Sequence, residues 1–178
     1  LLYSPPRRVQ ILALYSQEPT MPATDFAFIP GFLPALQRSP AAVEARGKLA
    51  HTIREGRLTA RQRAQIALVV AQEGGSDYCI WAQTSVARHN GLGWEDIVFA
   101  ASGSALDPRD AAIVRLAREI ARTGCFSPME VRAMARDPLL KPDDVAEVVA
   151  NAALAVLDNY MIQSLAPAEA RSGTRRAA

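Results

Sequence analysis

Histidine, cysteine and aromatic residues are all scarce in this chain. Its 178 residues include two cysteines, Cys79 and Cys125, and two histidines, His51 and His89. Two cysteines exclude a disulfide-dense secreted scaffold. Without a Cys/His cluster there is no basis for a structural zinc site. No apolar run approaches the roughly 20 residues that span a bilayer. Arg7 and Arg8 precede a short apolar stretch, Val9 to Leu14, but Gln10 interrupts it and no small-residue cleavage site follows. That makes a poor signal peptide and points to a cytoplasmic protein. Charge of one sign is also lacking: 20 basic and 18 acidic residues leave a net +2, which calls for neither a nucleic-acid nor a membrane partner.

What the chain has in quantity is alanine and other apolar residues. Hydrophobic residues make up 49% and aromatics only 6%. That balance favours helices over strands and a folded core over disorder. Residues 1–25 carry several prolines and little periodicity, so they read as an extended arm. Residues 26–166 read as one helical domain and 167–178 as a polar tail. Helix signals recur along the domain. Phe32 to Leu36 suits a short helix. Ser39-Pro40 opens a helix to Arg54, with serine as N-cap and proline at the first helical position. Thr59 caps the next, which ends at Gly74-Gly75. Ser76 or Asp77 starts a third, running through Arg88, and Trp94 to Ser102 forms a fourth. Asp107-Pro108 opens a fifth that Gly124 ends. Ser127-Pro128-Met129-Glu130 has the form of a capping box. Pro142 begins a long helix to about Leu165. The expected fold is all-α, a bundle of seven or eight helices.

Two helices, around Ile66–Ala71 and Val148–Leu157, are apolar on nearly every face. Such helices lie inside a bundle or in a subunit interface. The expectation is that both are largely buried and that the chain forms a homo-oligomer.

There is no phosphate-binding glycine loop, nucleophile elbow or zinc helix, so no cofactor or metal is called for. One segment stands out: Gly74-Gly75-Ser76-Asp77-Tyr78-Cys79-Ile80-Trp81-Ala82-Gln83-Thr84. It puts Cys79 in the first turn of a helix, where orphan N–H groups and the helix dipole favour a thiolate. Ser76 and Gln83 lie at i−3 and i+4 and can share its face. The plainer reading of Cys79 is a buried small hydrophobe. If it is functional, it should line a cavity beside Tyr78, Trp81 or Gln83. Cys125, at a helix C-terminal end, is a poor thiolate site. His51 and His89 read as solvated, and Arg115–Glu119 as an i,i+4 surface pair.

From about Phe28 to Ala166 the chain resembles the alkylhydroperoxidase D-like, or carboxymuconolactone decarboxylase, family. The fragments are Ile29-Pro30-Gly31-Phe32, Ser39-Pro40-Ala41-Ala42, Leu58-Thr59-Ala60-Arg61-Gln62-Arg63, Tyr78-Cys79 with Ala82-Gln83-Thr84, and Gly91-Leu92. Leu157-Asp158-Asn159-Tyr160 is similar to a segment of the peroxidase-related branch. The resemblance implies that Cys79 stands where the peroxide-reactive second cysteine of a Cys-x-x-Cys pair would be. Ser76 takes the place of the first cysteine, Gln83 that of a histidine, and Ala64 that of a glutamate. Gln163 falls where that branch has a later histidine. Serine cannot form a disulfide, glutamine cannot shuttle a proton near neutral pH, and alanine has no acid–base capacity. The implied activity is therefore that of a weak, one-cysteine, peroxiredoxin-type antioxidant acting through Cys79, with Ser76 and Gln83 beside it and an external thiol as reductant. Two alternatives stand beside it. One is a non-catalytic helical oligomer or ligand-binding member of the same fold, and the other is a carboxymuconolactone decarboxylase-like lyase. Family members commonly form dimers, trimers or hexamers.

Overall fold

A computed structural model describes residues 39–165, apart from 128, 131–132 and 134–135. Among the described residues the structure is all-helical: α1 Pro40–Arg54, α2 Ala60–Gly74, α3 Asp77–His89, α4 Trp94–Ser102, α5 Pro108–Thr123 and α6 Pro142–Leu165. The proposed helix over Phe32–Leu36, the N-terminal arm and the polar tail lie outside the described residues. Met129 and Glu130 are helical, and the Ser127–Glu130 capping box is present. Glu130 N–H donates to Ser127 Oγ at 3.2 Å, and Ser127 N–H to Glu130 Oε2 at 2.6 Å.

The caps act where the local chemistry puts them. Ser39 Oγ accepts from Ala42 N–H at 3.3 Å, and Thr59 and Gln62 bond reciprocally to open α2. Gly75, at φ +68°, ends α2 in the left-handed region that a side chain disfavours. The following residue, Ser76, caps α3.

α2 is the central helix, packed against α3, α4, α5 and α6. That position explains its uniform apolarity. Ala64, Leu68 and Ala71 face one core with Tyr78, Cys79, Ile80, Ile97 and Ile162. Ile66, Val69 and Val70 face a second core with Ile113, Leu116, Val148 and Ala152. With a core on each side, α2 has almost no solvent face. Truncating Leu68 to alanine would cost about 2–5 kcal/mol.

α6 departs from the expected all-round burial. Val148, Asn151, Ala152, Ala155, Asp158, Asn159 and Ile162 are buried, but Val149 and Tyr160 are 38% and 67% exposed and Ala153 is exposed too. These three share one stripe along the helix. The span Pro142–Ser164, 23 residues with a mean hydropathy of 1.4 over its most apolar 18-residue window, is long and apolar enough by length and composition to cross a membrane. This corrects the sequence reading that no such run exists. Its apolar content is in part that of a core helix, packed on α2 and α5. A second correction concerns Glu119, which pairs at 2.8 Å with Arg122, three residues on, rather than with Arg115. His51 and His89 are exposed, as expected.

Long-range polar contacts hold the helix ends. Glu147 of α6 accepts the backbone N–H groups of Arg57 and Leu58 at 2.7–3.0 Å. Gln62 Nε2 donates to Asp110 Oδ1 at 2.7 Å, joining the starts of α2 and α5. α1 contains no buried residue and lies mainly along α6. One ion pair fixes it there: Arg46 donates through Nε to Asp158 Oδ1 at 2.8 Å and through Nη2 to Oδ2 at 3.0 Å. This bidentate fork spans 112 residues of sequence and is nearly closed to solvent on both sides.

Candidate functional site

Ser76 places Cys79 by capping α3: its Oγ accepts from Cys79 N–H at 3.3 Å. The thiol sits in the first turn, as the sequence suggests, but it is fully buried. Its sulfur lies 3.9 Å from Asn159 O and 4.0 Å from Gln163 Nε2, both on α6. Burial pushes the thiol's pKa up. Hydrogen bonding from Ser76 and Gln163 pulls it down, and the carboxylate of Asp158 adds to the rise. The net direction is upward, so desolvation outweighs the helix dipole and Cys79 is a protonated thiol at neutral pH. Tyr78 and Trp81 stack beside it with ring centroids 5.6 Å apart. Cys125, beyond the end of α5, is exposed.

Cys79 lines none of the cavities of about 280, 420 and 120 Å³. The smallest of the three shares two residues, Asn159 and Gln163, with the surroundings of the sulfur. Gly74, Asn159, Tyr160 and Gln163 line that cavity, so Gln163 both touches the sulfur and faces the space beyond. Asn159 Nδ2 donates to Val70 O at 3.2 Å, and its Oδ1 is buried without a partner. A Cβ on Gly74 would stand 3.2 Å from Asn159 Nδ2, so only a glycine leaves this amide its full room.

The cavity of about 280 Å³ opens between α1, α2, α3 and α6. It gathers two of the positions singled out in the sequence, Gln83 and Ala64; Cys79 does not line it, although Ala64 also packs in the core that holds Cys79. Gln83 is 1% exposed, and its Nε2 has no hydrogen-bond partner. A buried donor left unpaired costs about 1–3 kcal/mol. The same cavity is lined by Arg46, Arg54, Arg63, His89, Asn151 and Asp158. Burial lowers the pKa of Arg63, and so does the neighbouring charge of Arg54, while Glu147 acts the other way. Burial pushes the Asp158 carboxyl up against the opposing pull of Arg46.

Three of these residues escape a reading of the sequence alone. Arg46 and Asp158 are 112 positions apart, so no helical spacing pairs them. Arg63 looks like a surface arginine in a capping segment. The one available signal is Asp158 itself, a carboxylate within a strongly apolar helix, which needs a partner to be buried. Among the described residues no group of three or more His, Cys, Asp or Glu side chains is arranged to hold a metal ion.

Neither the curated proteins nor the solved structures contain a match to this chain. The model of the carboxymuconolactone decarboxylase family matches residues 40–123, from the first residue of α1 to the last of α5, and over that segment the chain is similar to this family.

Proposed function

We propose that this chain is a non-redox, ligand-binding member of this family, and that its working site is the cavity between α1, α2, α3 and α6. The observation that carries this reading is the pairing of Gln83 with Ala64. The positions where the resemblance sets a proton relay line this cavity, hold no acid or base, and offer an unpartnered buried amide N–H. Cys79 meanwhile is sealed in the core and kept protonated. A buried, unpartnered donor on a residue that lines a largely apolar cavity suits a ligand that brings an acceptor.

A direct test fills the cavity. Ala67, on its α2 wall, is half-buried. Ala67→Phe should abolish saturable small-molecule binding, read by calorimetry or ligand-observed NMR, while the helical circular dichroism of the parent is kept. Binding of equal strength in the parent and this variant would defeat the reading.

A second reading is the one-cysteine thiol peroxidase, and one observation favours it. Gln163 and Asn159 both touch the Cys79 sulfur and line the cavity of about 120 Å³. In that chemistry the thiolate sulfur attacks the peroxide O–O bond. The sulfur is oxidised to a sulfenic acid and an alcohol or water leaves; one external thiol then condenses with the sulfenic acid, releasing water, and a second reduces the mixed disulfide, returning the cysteine thiol and releasing the external disulfide. Dimedone labelling after peroxide treatment tests it. Labelling in the parent that is lost in Cys79→Ser would favour the peroxidase over the binding site.

A further inference from the structure

We propose that the cavity between α1, α2, α3 and α6 takes a compact, uncharged carbonyl compound of about ten carbons, seated with its carbonyl oxygen inward on Gln83. This rests on the ligand-binding reading above and names the ligand class.

Size sets the body. The cavity of about 280 Å³ is roughly twice the ~150 Å³ space that admits one benzene, so a frame of two fused rings matches it. Its walls are largely alkyl: Ala50, Ile53, Ala60, Ala67, Leu154 and Ala155 all contribute. The charged residues of the lining are already engaged. Arg46 is joined to Asp158, the one carboxylate there, by the bidentate fork, and Arg63 donates to Leu58 O. Arg54, at the exposed end of α1, is not without a partner either. An ion of either sign would give up its water and meet no free counter-charge. The neighbouring amides are engaged too. Asn151 Nδ2 donates to Glu147 O and Asn90 Nδ2 to Val86 O, both at 2.8 Å. Gln83 differs, because its Nε2 is buried and unpaired. The last torsion of a glutamine side chain is broad, so a turn of the amide brings this N–H to an oxygen in the cavity. A carbonyl supplies that acceptor and brings no donor of its own to satisfy. Depth sets the orientation. Gln83, Ala64 and Ala155 are buried, whereas Arg54, His89 and Asn90 are exposed and mark the mouth. The oxygen goes in first, and the apolar frame fills the space behind it.

Five probes on one bicyclic frame separate these elements: 1-tetralone, 1-tetralol, tetralin, 1,2,3,4-tetrahydro-2-naphthoate and 2-aminotetralin, each titrated into the full chain at neutral pH. The expected result is that 1-tetralone binds about fivefold or more tighter than tetralin, with 1-tetralol weaker than the ketone. The carboxylate and ammonium probes should show no saturable binding. Gln83→Leu, which removes an unpaired buried amide, should melt no earlier than the parent and should bring 1-tetralone down to the affinity of tetralin. The infrared carbonyl stretch of bound 1-tetralone should lie at higher frequency in this variant than in the parent, because a hydrogen bond lowers it. Tetralin or 1-tetralol binding as tightly as 1-tetralone in the parent, or an unshifted stretch, would overturn the carbonyl assignment. Either charged probe binding as tightly as the ketone would overturn the uncharged class. In both cases the ligand-binding reading would stand so long as Ala67→Phe blocks the probes. No saturable binding by any of the five would overturn this inference. Indifference to Ala67→Phe of whatever does bind would overturn the site itself.

Discussion

Burial raises the pKa of the Cys79 thiol and lifts that of Tyr78, beside it, to about 12. An acid whose folded pKa lies above its unfolded value keeps its proton longer in the folded state. From about pH 8.5 the unfolded chain ionises this cysteine while the folded chain does not. Stability therefore falls as pH rises through that range, and Tyr78 adds a second decline from about 10 towards 12. Denaturation midpoints measured between pH 8 and pH 11 should drop, and Cys79→Ala combined with Tyr78→Phe should flatten the slope. An unchanged slope would assign it to other groups. The same protonated, enclosed thiol predicts that iodoacetamide at neutral pH alkylates Cys125 quickly and Cys79 only on unfolding. Rebuilding the redox motif then has a cost that the sequence does not disclose. Ser76 is the N-cap of α3, and replacing a capping serine by a residue that cannot cap loses about 0.5–2 kcal/mol. Ser76→Cys with Gln83→His should melt earlier than the parent yet gain peroxide reduction with a dithiol. Peroxidase activity in the parent equal to that of the double variant would mean that Ser76 and Gln83 already serve a working thiol site.

At the scale of elements, the turn between α1 and α2 is built around one carboxylate. Gly56 leaves room for Glu147: a Cβ there would stand 2.6 Å from Glu147 Oε2. Gly56→Ala should therefore push Glu147 off the Arg57 and Leu58 N–H groups and lower stability by about 1–3 kcal/mol. Thermal denaturation checks it, and Glu147→Gln should be milder because it keeps an acceptor in place. An alanine variant as stable as the parent would show that the turn relaxes without loss. Helix boundaries were legible because their signals are local. Ser39-Pro40, Thr59, Asp107-Pro108 and Ser127 with Glu130 act within three residues of the ends they mark. Glu147, Arg46 and Asp158 were not, since their partners lie 89 to 112 positions away and only packing brings them together. The uniform apolarity of α2 and α6 also meant two different things. α2 has a core on each side, whereas α6 turns Val149, Ala153 and Tyr160 outward. Composition alone does not say how many neighbours a helix has. At the site, the first-turn placement of Cys79 followed from the Ser76 cap. That Gln83 and Ala64 line a cavity which Cys79 does not reach did not, because it depends on which side α1 and α6 close.

For the whole molecule, the outward stripe on α6 bears on assembly. An exposed row of Val149, Ala153 and Tyr160 beside a buried core suits contact with a second copy of the chain. Sedimentation at micromolar concentration should give a multiple of the 19.2 kDa chain, and Val149→Asp should shift it towards the single-chain mass with helicity preserved. A single-chain mass in the parent would exclude a self-assembled form under those conditions. Within one chain the helices are held very unequally. α2 has cores on both sides, but α1 buries no residue and depends on the fork between Arg46 and Asp158. Such an element opens at a free energy well below that of global unfolding. The amide protons of α1 should exchange with deuterium long before those of α2. Because α1 supplies Arg46, Ala50, Ile53 and Arg54 to the cavity, that opening would also remove one wall of the proposed binding site. A molecule bound there would hold that wall in place, so a ligand should slow the exchange of the α1 amides more than that of the α2 amides.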